Sequence, residues 1–124
     1  MFEVMKQSSG KLLGVDATGV IRKQDYDELV PICEKIINEE GSMSMLIDMK
    51  GFRLEAPSAW RDDFHFGREF HHKIERMAIV GDRWWEEWMT AFCRHFYAHQ
   101  AKYFRTYEID AAWDWLKEGQ EQAA

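Results

Sequence analysis

A short apolar run, Met77 to Val80, ends abruptly at Gly81-Asp82, and helical spacing resumes at once with Trp84, Trp85 and Trp88. A buried strand that hands over to a helix through so tight a turn belongs to an α/β layer, in which helices cover a largely parallel sheet. The segment Arg76 to Trp88 also carries more indole than a small core requires. It therefore constrains the fold class and, separately, raises the question of exposed aromatic surface.

The remaining segments fit the same layer. Phe2 to Gln7 and Leu12 to Thr18 flank Ser8-Ser9-Gly10-Lys11, which reads as an antiparallel hairpin. From about Lys23 to Glu40, Tyr26, Leu29, Val30, Cys33, Ile36 and Ile37 recur at helical spacing, and Gly41 is a natural stop. Pro31 should bend that helix, and Arg22 stands where a capping Ser or Thr is expected. Met45 to Met49 is a short strand, Lys50 to Pro57 a loop, and Ser58 the N-cap of a helix to about His72.

The strand Arg76 to Val80 follows, then the Trp helix from about Arg83 to His99, and Lys102 to Tyr107 is the last strand. Asp110 to Glu118 reads as a terminal helix burying Ala112, Trp115 and Leu116, with residues 119–124 a disordered tail. The order β-β-α-β-α-β-α-β-α predicts an α/β fold with four helices. Its five-stranded, mostly parallel mixed sheet has only the N-terminal hairpin antiparallel. One domain over residues 1–118 accounts for all of it.

Charge and composition narrow the partners. A net charge of −6 argues against nucleic acid, since a phosphate backbone calls for a cationic footprint. It also disfavours an electrostatic hold on anionic lipid, and leaves peripheral apolar insertion open. No apolar run approaches the ~20 residues of a membrane span. Met1 to Val15 lacks a cationic start followed by an apolar block, so the expectation is a chain without an export signal. Cys33 and Cys93, widely spaced in helical patterns, read as reduced thiols of a cytoplasmic protein.

The strings Asp25-Tyr26, Leu46-Ile-Asp48, Trp60-Arg-Asp62, Arg76 to Asp82, Trp84, Trp88 and Trp113-Asp-Trp-Leu116, in this order of elements, resemble the SpoIIAA-like proteins. These belong to the STAS superfamily, whose fold is related to CRAL-TRIO lipid-binding domains. The resemblance runs from about Val4 to Leu116, and the strand-turn-Trp segment is its most specific part. It implies a non-enzymatic fold without a cofactor. One branch of the superfamily serves as anti-sigma-factor antagonists switched by serine phosphorylation; for the SpoIIAA-like branch the resemblance implies an apolar, lipid-like ligand.

The phospho-switch motif of the antagonists is degenerate here. Aligned from Asp48 without gaps, Ala56 takes the place of the second Asp and Pro57 that of the phosphorylated Ser; Ser58 and Ala59 complete the string. Only a one-residue shift would let Ser58 accept the phosphate, at a helix start where a phosphate suits the dipole. As a plain N-cap, Ser58 needs no such role.

Other chemistries are thinly supported. His95 and His99 share a helix side, yet a zinc site needs a third ligand, and Phe96 stands where a zinc protease carries its Glu. His71-His72 point to different sides. Asp63 falls inside the apolar face of its helix, where a carboxylate must be paired, hydrogen-bonded or protonated. It either holds a ligand's polar group or binds neighbouring backbone amides. Gly81-Asp82 offers one glycine and a negative charge, a poor phosphate cradle.

The aromatic residues divide. Trp85, Trp88, Phe92 and Phe96 make one stripe and read as core. Trp60, Phe64 and Trp84 lie off the centres of their faces and, with Phe52 and Leu54 from the loop, would border an apolar groove. Arg61 or Asp63 would then hold a polar head. The alternatives are a protein-interaction or regulatory surface, a homodimer interface, or simple loop coverage.

Overall fold

The computed structural model describes residues 1–55, 72–82 and 100–123. Seven strands lie among them: β1 (Phe2–Val4), β2 (Leu12–Ala17), β3 (Gly19–Ile21), β4 (Met43–Asp48), β5 (Phe52–Glu55), β6 (Ile74–Val80) and β7 (Gln100–Phe104). Helix α1 spans Lys23–Glu40; a 3-10 turn, Thr106–Glu108, leads into helix α2 (Ile109–Ala123). The main sheet has the order β1-β2-β4-β6-β7. Its β1–β2 pair is antiparallel and its other neighbours are parallel. This is the expected five-stranded mixed sheet with its antiparallel hairpin. Of the four expected helices, two lie among the described residues; those expected over Ser58 to His72 and Arg83 to His99 fall largely or wholly outside them.

Strand alternation sorts the sheet's side chains onto two faces. Leu13 and Val15 of β2, Met45 of β4 and Met77 and Ile79 of β6 pack with Tyr26, Leu29 and Cys33 of α1. Their neighbours Leu12, Leu46, Ala78 and Val80 pack with Ala112, Trp113 and Leu116 of α2. Both faces are covered, so β4 and β6 read as nearly unbroken apolar runs.

Helix α1 begins without a Ser or Thr cap because Asp25 substitutes for one. Its Oδ2 accepts the Arg22 backbone N–H at 2.7 Å, the acidic half of a capping box. The helix passes unbroken through Pro31 and stops at Gly41, whose φ of 86° lets its N–H reach the Ile37 carbonyl at 2.7 Å.

Three expectations are corrected. Lys50 to Pro57 is not all loop: Phe52–Glu55 is a strand, paired in parallel with β3 in a separate two-stranded ribbon. Such short strands carry too little alternation to be seen in sequence, and their pairing is non-local. The last strand stops at Phe104 rather than Tyr107, because the 3-10 turn takes over and leaves Tyr107 81% exposed.

The third correction concerns the C-terminus. Helix α2 runs through Gly119 to Ala123 instead of fraying at 119, and Trp113 (6% exposed) is buried more deeply than the half-buried Trp115. Two glycines account for this. A Cβ on Gly14 of β2 would lie 2.6 Å from the outer ring of Trp113, so only a bare backbone leaves room for that indole. A Cβ on Gly119 would lie 2.6 Å from Cδ and Nε of Arg76. Arg76, 9% exposed, lies 4.8 Å from the Trp115 ring centroid and donates from Nη1 to the Trp115 carbonyl at 2.7 Å. Gly119 is a packing glycine inside a helix, not a stop.

Candidate functional site at the C-terminal edge of the sheet

In open α/β sheets, ligands favour the carboxyl ends of the strands, where the loops gather. Here β2, β4, β6 and β7 all end on one edge. Its framework is rigid on the β6–β7 side. The Gly81 N–H donates to the Phe104 carbonyl at 3.0 Å, and the Tyr103 hydroxyl donates to the Gly81 carbonyl at 2.6 Å. Asp82 Oδ1 accepts the Thr106 N–H at 3.2 Å. The Asp82 carboxylate thus holds the turn after β7, which further weakens a phosphate reading of Gly81-Asp82.

Across the other side of the edge runs a row of acids that sequence reasoning missed. Register places Glu3 of β1 opposite Asp16 of β2, and Asp16 opposite Asp48 of β4; the row continues into Val80 and Phe104. Burial deepens along it, from exposed Glu3 through half-buried Asp16 to Asp48, which is 6% exposed. The Asp48 Oδ1 atom accepts the Lys50 N–H at 3.0 Å and so closes the turn into β5.

The Asp16 carboxyl is held above its ordinary value, first by burial and then by the Asp48 charge. A hydrogen bond shared with Asp48 and the nearby Glu3 add to the rise, and Lys50 opposes it. The one sequence signal for this pair is that each Asp lies near the C-terminal end of an apolar strand. Only the adjacency of β2 and β4 makes them neighbours.

The residues singled out from sequence are distributed as follows. Phe52 is 9% exposed and joins the α1-side core, and Leu54 lies in β5 opposite Val20 of β3. Ser58, Trp60, Arg61, Asp63, Phe64, Trp84, Cys93, His95 and His99 lie outside the described residues. Cys33 is fully buried in the α1 core; burial, with a smaller contribution from Glu34, pushes its thiol up to about 12, far from the reactive thiolate range. Among the described residues, no helix is long and apolar enough to cross a membrane.

A doubly covered mixed sheet that opens with an antiparallel hairpin and continues in parallel strands is the α/β architecture of a STAS-type domain. The family model described as SpoIIAA-like matches residues 12–117, and the chain belongs to the SpoIIAA-like family. The chain is also similar to the crystal structure of an uncharacterised protein from Shewanella loihica PV-4 that has a SpoIIAA-like fold. The two are 25% identical over 94% of this chain and 92% of that one, with a TM-score of 0.75. No curated protein sequence matches the chain.

Proposed function

We propose that this SpoIIAA-like domain is a non-catalytic module that binds an apolar, lipid-like molecule at the C-terminal edge of its sheet. One topological observation carries the reading: β4 and β6 are adjacent and parallel, so the chain leaves both toward the same edge. The segment with Trp60 and Phe64 begins just after β5, and the one with Trp84 just after Asp82. Aromatic side chains of the two segments would supply apolar contact, with Arg61 or Asp63 on the polar head. The acidic row from Glu3 to Asp48 disfavours an anionic head, so a neutral lipid is the better fit.

The test is native mass spectrometry and Trp emission with monoolein, lysophosphatidylcholine and oleate. The reading expects a one-to-one complex with a neutral lipid, weakened in Trp60→Ala and Trp84→Ala. Failure of all three lipids to bind would remove it.

A second reading, a protein-interaction or regulatory module, draws support from the family and from β1. That strand ends the main sheet and leaves Val4 half-exposed, an edge on which another chain can pair. Sedimentation of the free protein, and of protein treated with kinase to modify Ser58, tests the homodimer and the switch.

A further inference from the structure

The Asp16–Asp48 pair enters the lipid reading only through its charge, and its position gives it something further to act on. The two residues are direct cross-strand partners at the ends of β2 and β4. Immediately beyond them the chain turns into the two strands of the small ribbon. Thr18 leads from β2 to β3, and Met49 to Gly51 lead from β4 to β5. Several amides close those turns, among them the Thr18 N–H on the Met1 carbonyl at 2.9 Å and the Phe52 N–H on the Met49 carbonyl at 3.1 Å. The Lys50 N–H donates to Asp48 Oδ1 at 3.0 Å, and the Gly19 N–H donates to the Gly51 carbonyl at 2.9 Å. The ribbon is anchored separately, by Ile21 and Phe52 in the α1-side core.

We propose that Asp16 and Asp48 form a proton-controlled latch on the β3–β5 ribbon. With one proton between them the strand ends stay together and the turns stay closed; loss of that proton sets two like charges side by side and loosens the turns.

The charged groups around the latch are few among the described residues. Glu3 on β1 faces Asp16 and adds repulsion, Lys50 on the β4–β5 turn offsets part of it, the Met1 ammonium donates to the Thr18 carbonyl in the β2–β3 turn at 2.8 Å, and β6 contributes only Val80 to the row. No charge of α2 is among the groups acting on Asp16. In the closed state the Asp16 hydroxyl donates to the Asp48 carboxylate. Above the Asp16 midpoint both are acceptors, no hydrogen bond joins them, and water or Lys50 must solvate each charge.

The sign follows from linkage. Asp16 is held above its ordinary value of 3.8, so the closed state binds more protons than an opened one. The latch is fully engaged below that ordinary value and is lost as pH rises through the raised midpoint. If opening restores ordinary behaviour to Asp16, closure weakens by about tenfold for each pH unit separating the two midpoints. Ile21 and Phe52 hold the ribbon on the α1-side core while this happens.

The experiment is an NMR titration of the intact protein from about pH 3 to about pH 8, following the Asp16 side-chain carboxyl carbon. Hydrogen exchange of the Gly19 and Lys50 amides, corrected for intrinsic base catalysis, is read over the same range. The proposal expects Asp16 to titrate above its ordinary value and the protection of both amides to fall across that step. Asp16→Asn keeps a donor toward Asp48 at every pH, so its amides should stay protected throughout. Three results would each overturn the latch: an ordinary Asp16 midpoint, unchanged amide protection in the wild type, or the same fall in protection in Asp16→Asn. No ligand enters the measurement, so its outcome is independent of lipid binding.

Discussion

Replacing Gly14 by Ala puts the α2-side packing to a quantitative test. Glycine is a weak strand residue, and where space is open Ala would gain about 0.5–1 kcal/mol through the lower entropy of the unfolded chain. At Gly14 space is not open. The new methyl would lie 2.6 Å from Cη2 and Cζ2 of Trp113 and 3.1 Å from Sδ of Met5. Carbon atoms pack at about 3.5–4.0 Å, so the overlap with the indole is on the order of 1 Å.

Trp113, 6% exposed and packed with Leu46, Leu116 and their neighbours, has little freedom to withdraw. Overpacking of this kind costs about 1–3 kcal/mol. Net of the entropy gain, Gly14→Ala should lose about 1–2 kcal/mol. Unfolding entropy of ~2.1 cal/mol/K per residue makes that a fall in Tm of about 4–8 °C for a chain of this length. Urea titrations followed by circular dichroism, with calorimetry, would measure both.

The clash rather than some general intolerance is isolated by Trp113→Phe, which shortens the ring that meets the methyl. In that background Gly14→Ala should cost at least about 1 kcal/mol less than in the wild type. A neutral or stabilising Gly14→Ala, or additive costs in the double variant, would refute the argument.

Two further predictions rest on the same faces. Gly119→Ala would gain about 1 kcal/mol of helix propensity at an open site, yet here it must displace Arg76 from the Trp115 carbonyl. A charged hydrogen bond is worth about 1.5–3 kcal/mol, so the variant should lose about 1 kcal/mol net in thermal melts; a gain would mean Arg76 is not held there. Cys33, buried with its thiol pushed up to about 12, should react with a thiol reagent only as fast as the protein opens. Peptide-level mass spectrometry of timed alkylation would show this, and rapid labelling in native buffer would contradict it.

Much of the layer is legible in the sequence. The span of α1 and its Gly41 stop follow from apolar spacing and backbone freedom, which act within one segment. The hairpin follows from turn chemistry, and the end of β6 at Val80 from a single break in hydropathy at Gly81-Asp82. The β3–β5 ribbon is hidden because its partners are far apart in sequence and too short to show a period. The depth of Trp113 is hidden for a similar reason: the helical wheel gives a face, and the hollow that receives the ring belongs to Gly14 on another strand.

The candidate site divides along the same line. A helical wheel singles out the aromatic residues at 60, 64 and 84 from sequence as expected groove residues, and these positions lie outside the described residues. The Asp16–Asp48 pair cannot be picked out in this way, because the sequence shows only two strands that each carry an Asp near the C-terminal end. Sequence alone therefore determined α1, the strands of the main sheet and the α/β class, all set by interactions within a few residues. Tertiary structure decided which strands are neighbours and in what register. That choice is made by filling both faces of the sheet at once, and it turned two distant carboxyls into a single pair at the C-terminal edge of the sheet.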